Sequence, residues 1–246
     1  MNKMIEDVAY MERYERKFKE QEELIKGQLM PGEEYRHCLD WDSWGGRFYC
    51  PCWVVTSEGR VWSLWDERFN APHFERSGTR KANGEYSQGK YYYQNSNEQV
   101  LERIGKKRPA RCYVHCLVAN YFCDKTPIQL FGEEHCKVHH IFGYDLTADC
   151  MWQNRAKHIQ YVRTEDHIIL NAIQNGTRSA RELLQEAEST RSDPKEMALL
   201  KLLLDNGAYE SNGYKLKNGI SITYAADGKA KIKVVAPVTG GNRYYM

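Results

Sequence analysis

The span from Lys137 to Ile173 constrains the fold more than any other part of the chain. It opens on K-V-H-H-I, and neighbouring side chains on a strand point to opposite faces, so one imidazole should look inward and the other outward. Val138 to Ile141 reads as a strand, followed by a loop through Asn154. His158 to Val162 alternates as a second strand. Thr164-Glu165-Asp166 reads as a helix start, with Thr164 as the cap and the two acids at the positive end of the helix dipole. His167 then falls in the first turn of a helix continuing through Leu170. Two strands and one helix thus carry four histidines within 29 positions.

The rest of the chain sets the context. Its 246 residues allow one sizeable domain or a compact domain with appendages. Lys+Arg 35 against Asp+Glu 33 leaves a net charge of +2, so overall charge does not announce a nucleic-acid partner and its distribution must. No apolar run approaches membrane-spanning length, and the N-terminus lacks a hydrophobic signal core. The expectation is a cytoplasmic protein with no membrane partner, in a bacterial host cell if phage-encoded. Eight cysteines are then expected to be reduced. Cys50, Cys52, Cys112 and Cys116 could still form an irregular metal site, against the plainer reading of small buried residues.

Residues 4 to 28 read as a surface or appended helix with Ile5, Val8, Met11 and Tyr14 on one face. Trp53 to Leu64 reads as strand, tight turn, strand; residues 65 to 84 as a polar loop; Gly84 to Gln94 as a further strand pair. Lys106-Lys107-Arg108 with Arg111 is the densest basic cluster, and Val114 to Phe122 has the spacing of a short buried helix. Beyond Gly176 come two helices, Arg178 to Glu188 and Pro194 to Leu204. A hairpin around Asn218-Gly219 and a strand at Lys231 to Val235 follow. The expected fold class is α+β. An N-terminal helix occupies 1–30, a central domain 31–175, and a helix-plus-hairpin accessory region of winged-helix type 176–246.

The span from Lys137 resembles the ββα-metal core of the HNH endonucleases, or His-Me finger nucleases. V-H-H-I matches their first strand, N-R-A-K-H-I the approach to the second, and T-E-D-H the helix start. Upstream, V-T-S-E-G-R-V-W-S-L and Y-V-H-C-L-V-A-N-Y-F resemble the hairpin and helix of the phage and intron-homing branch. Three weak matches in family order, from about Trp41 to Ile173, make one strong one.

The resemblance implies a metal-dependent DNA endonuclease acting on double-stranded DNA, as monomer or homodimer. His140 matches the general base, a task suited to a group titrating near neutrality. His139 and His167 match the ligands of one divalent ion, Mg or Mn, with Zn or Ni also compatible with imidazole ligands. Asn154 matches a loop-bracing Asn, and His158 stands where the family usually has Asn in the catalytic set. Arg155 or Arg163 would support the transition state. Arg60, Lys106, Lys107, Arg108 and Arg111 would hold the phosphate backbone, with the His167 helix in the minor groove. The chain departs from the pattern at His158, in the longer loop from Phe142 to Gln153, and at Cys116, where the upstream helix motif has Arg. The rival reading is a non-cleaving DNA-binding or regulatory protein that retains the fold. A structural zinc site on His139, His167, Cys136 and Cys150 is the alternative use of the same residues.

Overall fold

The computed structural model describes residues 2–39, 50–80, 86–96, 110–142, 152–174, 180–190, 194–205 and 219–235. They form a mixed α+β arrangement of helices and small antiparallel sheets. The chain divides into two compact units, Met1–Phe122 with Cys150–Lys157, and Cys123–Asp149 with His158–Met246. Among the described residues no helix is long and apolar enough to cross a membrane.

In the first unit, α1 (Asn2–Lys26) precedes a four-stranded sheet of β1 (Tyr35–His37), β2 (Trp53–Thr56), β3 (Val61–Ser63) and β4 (Arg68–Asn70), in that order. The expected hairpin is β2–β3, and Gly59 takes the positive φ of 86° that its tight turn requires. The helix is not an appendage. Tyr14 and Ile25 are fully buried, and Gln21 bridges to the sheet, accepting from the Trp62 indole (2.8 Å) and donating to the Leu64 carbonyl (3.0 Å). A buried Trp N–H needs such an acceptor.

The expected loop at 65–84 instead contains β4 and the start of a second sheet. Phe69 earns its strand place by packing edge-on against Trp62, with ring centroids 5.2 Å apart. The described part of the strand pair expected at Gly84 to Gln94 lies in one long strand, β6 (Tyr86–Asn95), between β5 (His73–Arg80) and β7 (Ala110–Tyr113). Its true partner lies in the segment expected to be a loop, whose polar residues obscured it. α2 (Val114–Phe122) has the expected limits.

The second unit holds α3 (Thr126–Phe131), the antiparallel pair β8 (Cys136–His140) and β9 (Ile159–Arg163), α4 (Thr164–Gln174), α5 (Ala180–Thr190) and α6 (Pro194–Asp205). The antiparallel pair β10 (Gly219–Tyr224) and β11 (Ala230–Val235) completes it. The first half of the expected hairpin around Asn218-Gly219 lies outside the described residues; the expected strand at Lys231 to Val235 falls in β11, reached from β10 by a turn at Asp227-Gly228 with Gly228 at φ 77°. One core unites these elements: Ile169, Leu170 and Ile173 of α4 pack with Leu199, Leu200 and Leu203 of α6 and with Ile220 and Ile222 of β10. The helices and hairpin after 176 therefore share their apolar interior with the helix carrying His167.

β10 also docks onto the end of β8. The Ile220 N–H donates to the Ile141 carbonyl at 3.0 Å, and a Cβ on Gly219 would stand 2.5 Å from Phe142 Cε1 and 2.8 Å from Ile141 Cγ2. Gly219→Ala should therefore lower stability by about 1–3 kcal/mol, the usual cost of overpacking a tight contact. An unchanged urea midpoint would show that the two strands approach less closely.

Candidate functional site

The site is built where β8, β9 and α4 meet. The β8–β9 ladder runs without a register shift, placing His139 opposite Gln160 and His140 opposite Ile159. β9 passes directly into α4, so His167 comes round in the first turn of the helix to face the strand. The rings of His139 and His167 stand with centroids 5.9 Å apart and planes at 87°. The ladder has no bulge at His139 or His140, so the two side chains leave opposite faces of β8.

The two histidines of K-V-H-H-I have different environments. His139 is completely buried, and neither ring nitrogen has a hydrogen-bond partner. Burial, followed by the charges of His167 and His140, holds its pKa well below the ordinary imidazole value. His140 is half-buried. His167 is lowered by burial and by the nearby Lys137 ammonium, against the effect of a hydrogen bond to the Val138 backbone. One turn along α4, the Asn171 amide meets His167 Nδ1 at 3.3 Å. His139 and His167 are thus neutral near pH 7, the form in which imidazole binds a metal ion.

The remaining catalytic candidates are placed as follows. His158 is buried at the end of a 3₁₀ turn (Ala156–His158) rather than inside β9. Its carbonyl accepts from the Ile141 N–H at 2.9 Å, and its ring meets Phe142 edge-on at 5.2 Å. Asn154 is buried in the 3₁₀ turn Trp152–Asn154, which belongs to the first unit.

Thr164 does not cap α4: its hydroxyl is buried without a partner. The corner is held instead by Arg163, Asp166 and Tyr224. Asp166 accepts from Arg163 Nη2 (3.0 Å) and from the Tyr224 hydroxyl (2.7 Å), and that hydroxyl accepts from the Arg163 backbone N–H (3.0 Å). Sequence reasoning noticed Asp166 only for its charge and missed Tyr224, whose signal was an aromatic ring ending an alternating strand.

Several expected DNA contacts have other occupations. Arg60 pairs with Glu33, donates to the Gln28 carbonyl (2.8 Å) and lies over the Phe69 ring. Arg155 is buried in an ion pair with Glu58 (2.5 Å). Arg163 is committed to Asp166 and Glu165. These guanidiniums brace the fold, because a carboxylate in poor solvent needs a fixed bidentate or close cation. Arg111 lies at the surface, paired with Glu75 at 2.6 Å. Lys106, Lys107 and Arg108 lie outside the described residues. Lys137, on β8, is an exposed cation beside the histidine pair.

Among the described residues no three His, Cys, Asp or Glu side chains are grouped to hold a metal ion. Cys50, Cys52, Cys112 and Cys116, which could have formed an irregular site, make no such group. Cys50 and Cys52 are buried thiols near the Asn95 amide (3.0 and 4.0 Å), and burial raises the pKa of Cys52 while a hydrogen bond with Cys112 does most to raise that of Cys50. Cys150 of the alternative zinc set lies outside the described residues. Neutral imidazoles are ligands that suit a divalent ion: the buried nitrogens of His139 lack any other partner, while His167 contacts Asn171 and the Val138 backbone.

Neither a protein-family model nor a curated relative matches the chain. Among solved structures it is similar to the HNH homing endonuclease I-HmuI, described for its DNA binding and cleavage. The identity is 16%, the match spans 82% of this chain and 78% of that one, and the TM-score is 0.35. A likeness that distant carries no argument here, so the functional reading rests on the site.

Leaving an imidazole buried and unbonded costs about 1–3 kcal/mol for an unsatisfied group. In the absence of divalent ions, His139→Leu should be more stable than wild type by about that amount in urea denaturation. The sign of the pH dependence follows from the same burial. The unfolded chain protonates this histidine near its ordinary pKa of about 6.5, whereas the folded one resists. Stability is full above that pH and falls as pH drops towards the folded value. His139→Leu should flatten this acid-side loss of melting temperature, and an unaltered slope would show that the histidine is not held neutral.

Proposed function

We propose that the chain is a metal-dependent DNA endonuclease of the HNH type, cutting phosphodiester bonds in double-stranded DNA. The observation that supports this reading best is the pairing of a buried, unbonded His139 with His167 on a strand-strand-helix frame, beside a half-buried His140. A core histidine without function would be expected to bond its nitrogens or to be replaced by an apolar residue.

His140 takes the proton from the attacking water as general base. His139 and His167 would hold one divalent ion, Mg or Mn, which when bound would supply charge stabilisation to the phosphate and the departing 3′ oxygen. Because both ligands are neutral, the ion would keep its full charge toward the phosphate. The β8–β9 pair and α4 keep these side chains at fixed separation, so the site is built on regular elements rather than loops. Lys137 offers an exposed positive charge at the same edge for the phosphate backbone, taking the place expected of Arg155 or Arg163.

Supercoiled plasmid incubated with Mn²⁺ or Mg²⁺ tests the assignment. Wild type should convert it to nicked or linear forms, and chelation should stop the reaction without unfolding the protein. His140→Ala should cut about 10²–10⁴-fold more slowly, the usual worth of a positioned general base. A wild-type protein that retards DNA but never cuts it would support the binding-protein reading instead.

A further inference from the structure

We propose that β10 is a positioning element of the histidine site, and that Tyr224, through Asp166, sets the place of His167. The inference rests on the endonuclease reading and concerns the same site.

The β10 strand holds the second unit at three points, and each point is next to a histidine of the site. Its Ile220 N–H donates to the carbonyl of Ile141, the residue after His140. Its Ser221 hydroxyl and Ile222 N–H donate to Gln160 Oε1 at 2.9 and 3.2 Å, and Gln160 is the register partner of His139. Its Tyr224 hydroxyl donates to Asp166, the residue before His167, and accepts from the Arg163 N–H where β9 becomes α4. Asp166 is buried and receives Arg163 Nη2 as well, so the carboxylate is fixed from two sides. The Tyr224 ring is anchored edge-on to Phe131 at 5.0 Å.

Ile220 and Ile222 fill the apolar core, and buried backbone N–H groups on such a strand need acceptors. β10 finds them, and an acceptor for the Tyr224 hydroxyl, on residues that adjoin the histidines, and so ties β8, β9 and the first turn of α4 to one strand. Removing the hydrogen bonds that hold a metal ligand in place typically changes metal affinity or activity by about ten- to a hundred-fold. Tyr224 touches neither substrate nor ion; it acts through Asp166 and the helix terminus.

Tyr224→Phe removes one oxygen and leaves the ring in the core. We expect it to fold as wild type by far-UV circular dichroism, and to bind Mn²⁺ on the DNA-free protein about ten-fold more weakly by calorimetry. Its nicking kcat should fall with little change in KM for DNA, and raised Mn²⁺ should restore part of the rate, which a general loss of stability would not. Ser221→Ala, which removes one donor to Gln160, should shift Mn²⁺ affinity in the same direction and serves if Tyr224→Phe does not fold. Wild-type Mn²⁺ affinity and wild-type kcat in both folded variants would overturn the proposal while leaving the endonuclease reading intact. A wild-type protein that binds Mn²⁺ but never cuts would overturn the nuclease reading, and the affinity comparison alone would then decide for or against positioning. A wild-type protein that does neither would overturn both.

Discussion

The second unit is organised around an unfavourable contact: an imidazole taken wholly out of water with neither nitrogen bonded. Such a group costs free energy that other features of the fold must offset. Two features hold it in place. The β8–β9 ladder fixes the backbone of His139 without a bulge, and the apolar interior shared by α4, α6 and β10 presses the helix carrying His167 against that ladder. The destabilising residue therefore sits in the part of the unit with the most interlocking support.

The cations tell a complementary story. Three arginines that a motif would assign to DNA are partly or fully enclosed by carboxylates, at Glu33, Glu58 and Asp166. On the proposed nuclease reading, phosphate contacts would include exposed side chains such as Lys137 and Arg111.

Legibility in the sequence followed the range of the interactions. The histidine frame was readable because strand alternation and a helix start are local signals, and their order carries the geometry. The α2 helix was readable for the same reason. Thr164 was misread because a cap depends on which way one hydroxyl points, and here the tertiary contact of Tyr224 with Arg163 and Asp166 takes over that corner. The partners of Arg60, Gln28 and Glu33, lie far back in the chain and leave no local signal beside it. β4 and β5 were missed because their polar composition gives no period, and only pairing to β3 and β6 makes them strands.

Arg155 and Glu58 show a further property of the chain. The short segment Cys150–Lys157 belongs to the first unit, although the residues on both sides of it belong to the second. The polypeptide therefore enters the second unit, returns to complete the first, and leaves again. No single cut separates them. A fragment ending at Phe122 would lack Arg155, stranding the Glu58 carboxylate, and would lose the Ala156 N–H that the Ser57 carbonyl accepts at 2.8 Å. Recombination with other proteins at one breakpoint would damage both halves, so this pair of units is expected to be inherited and exchanged together.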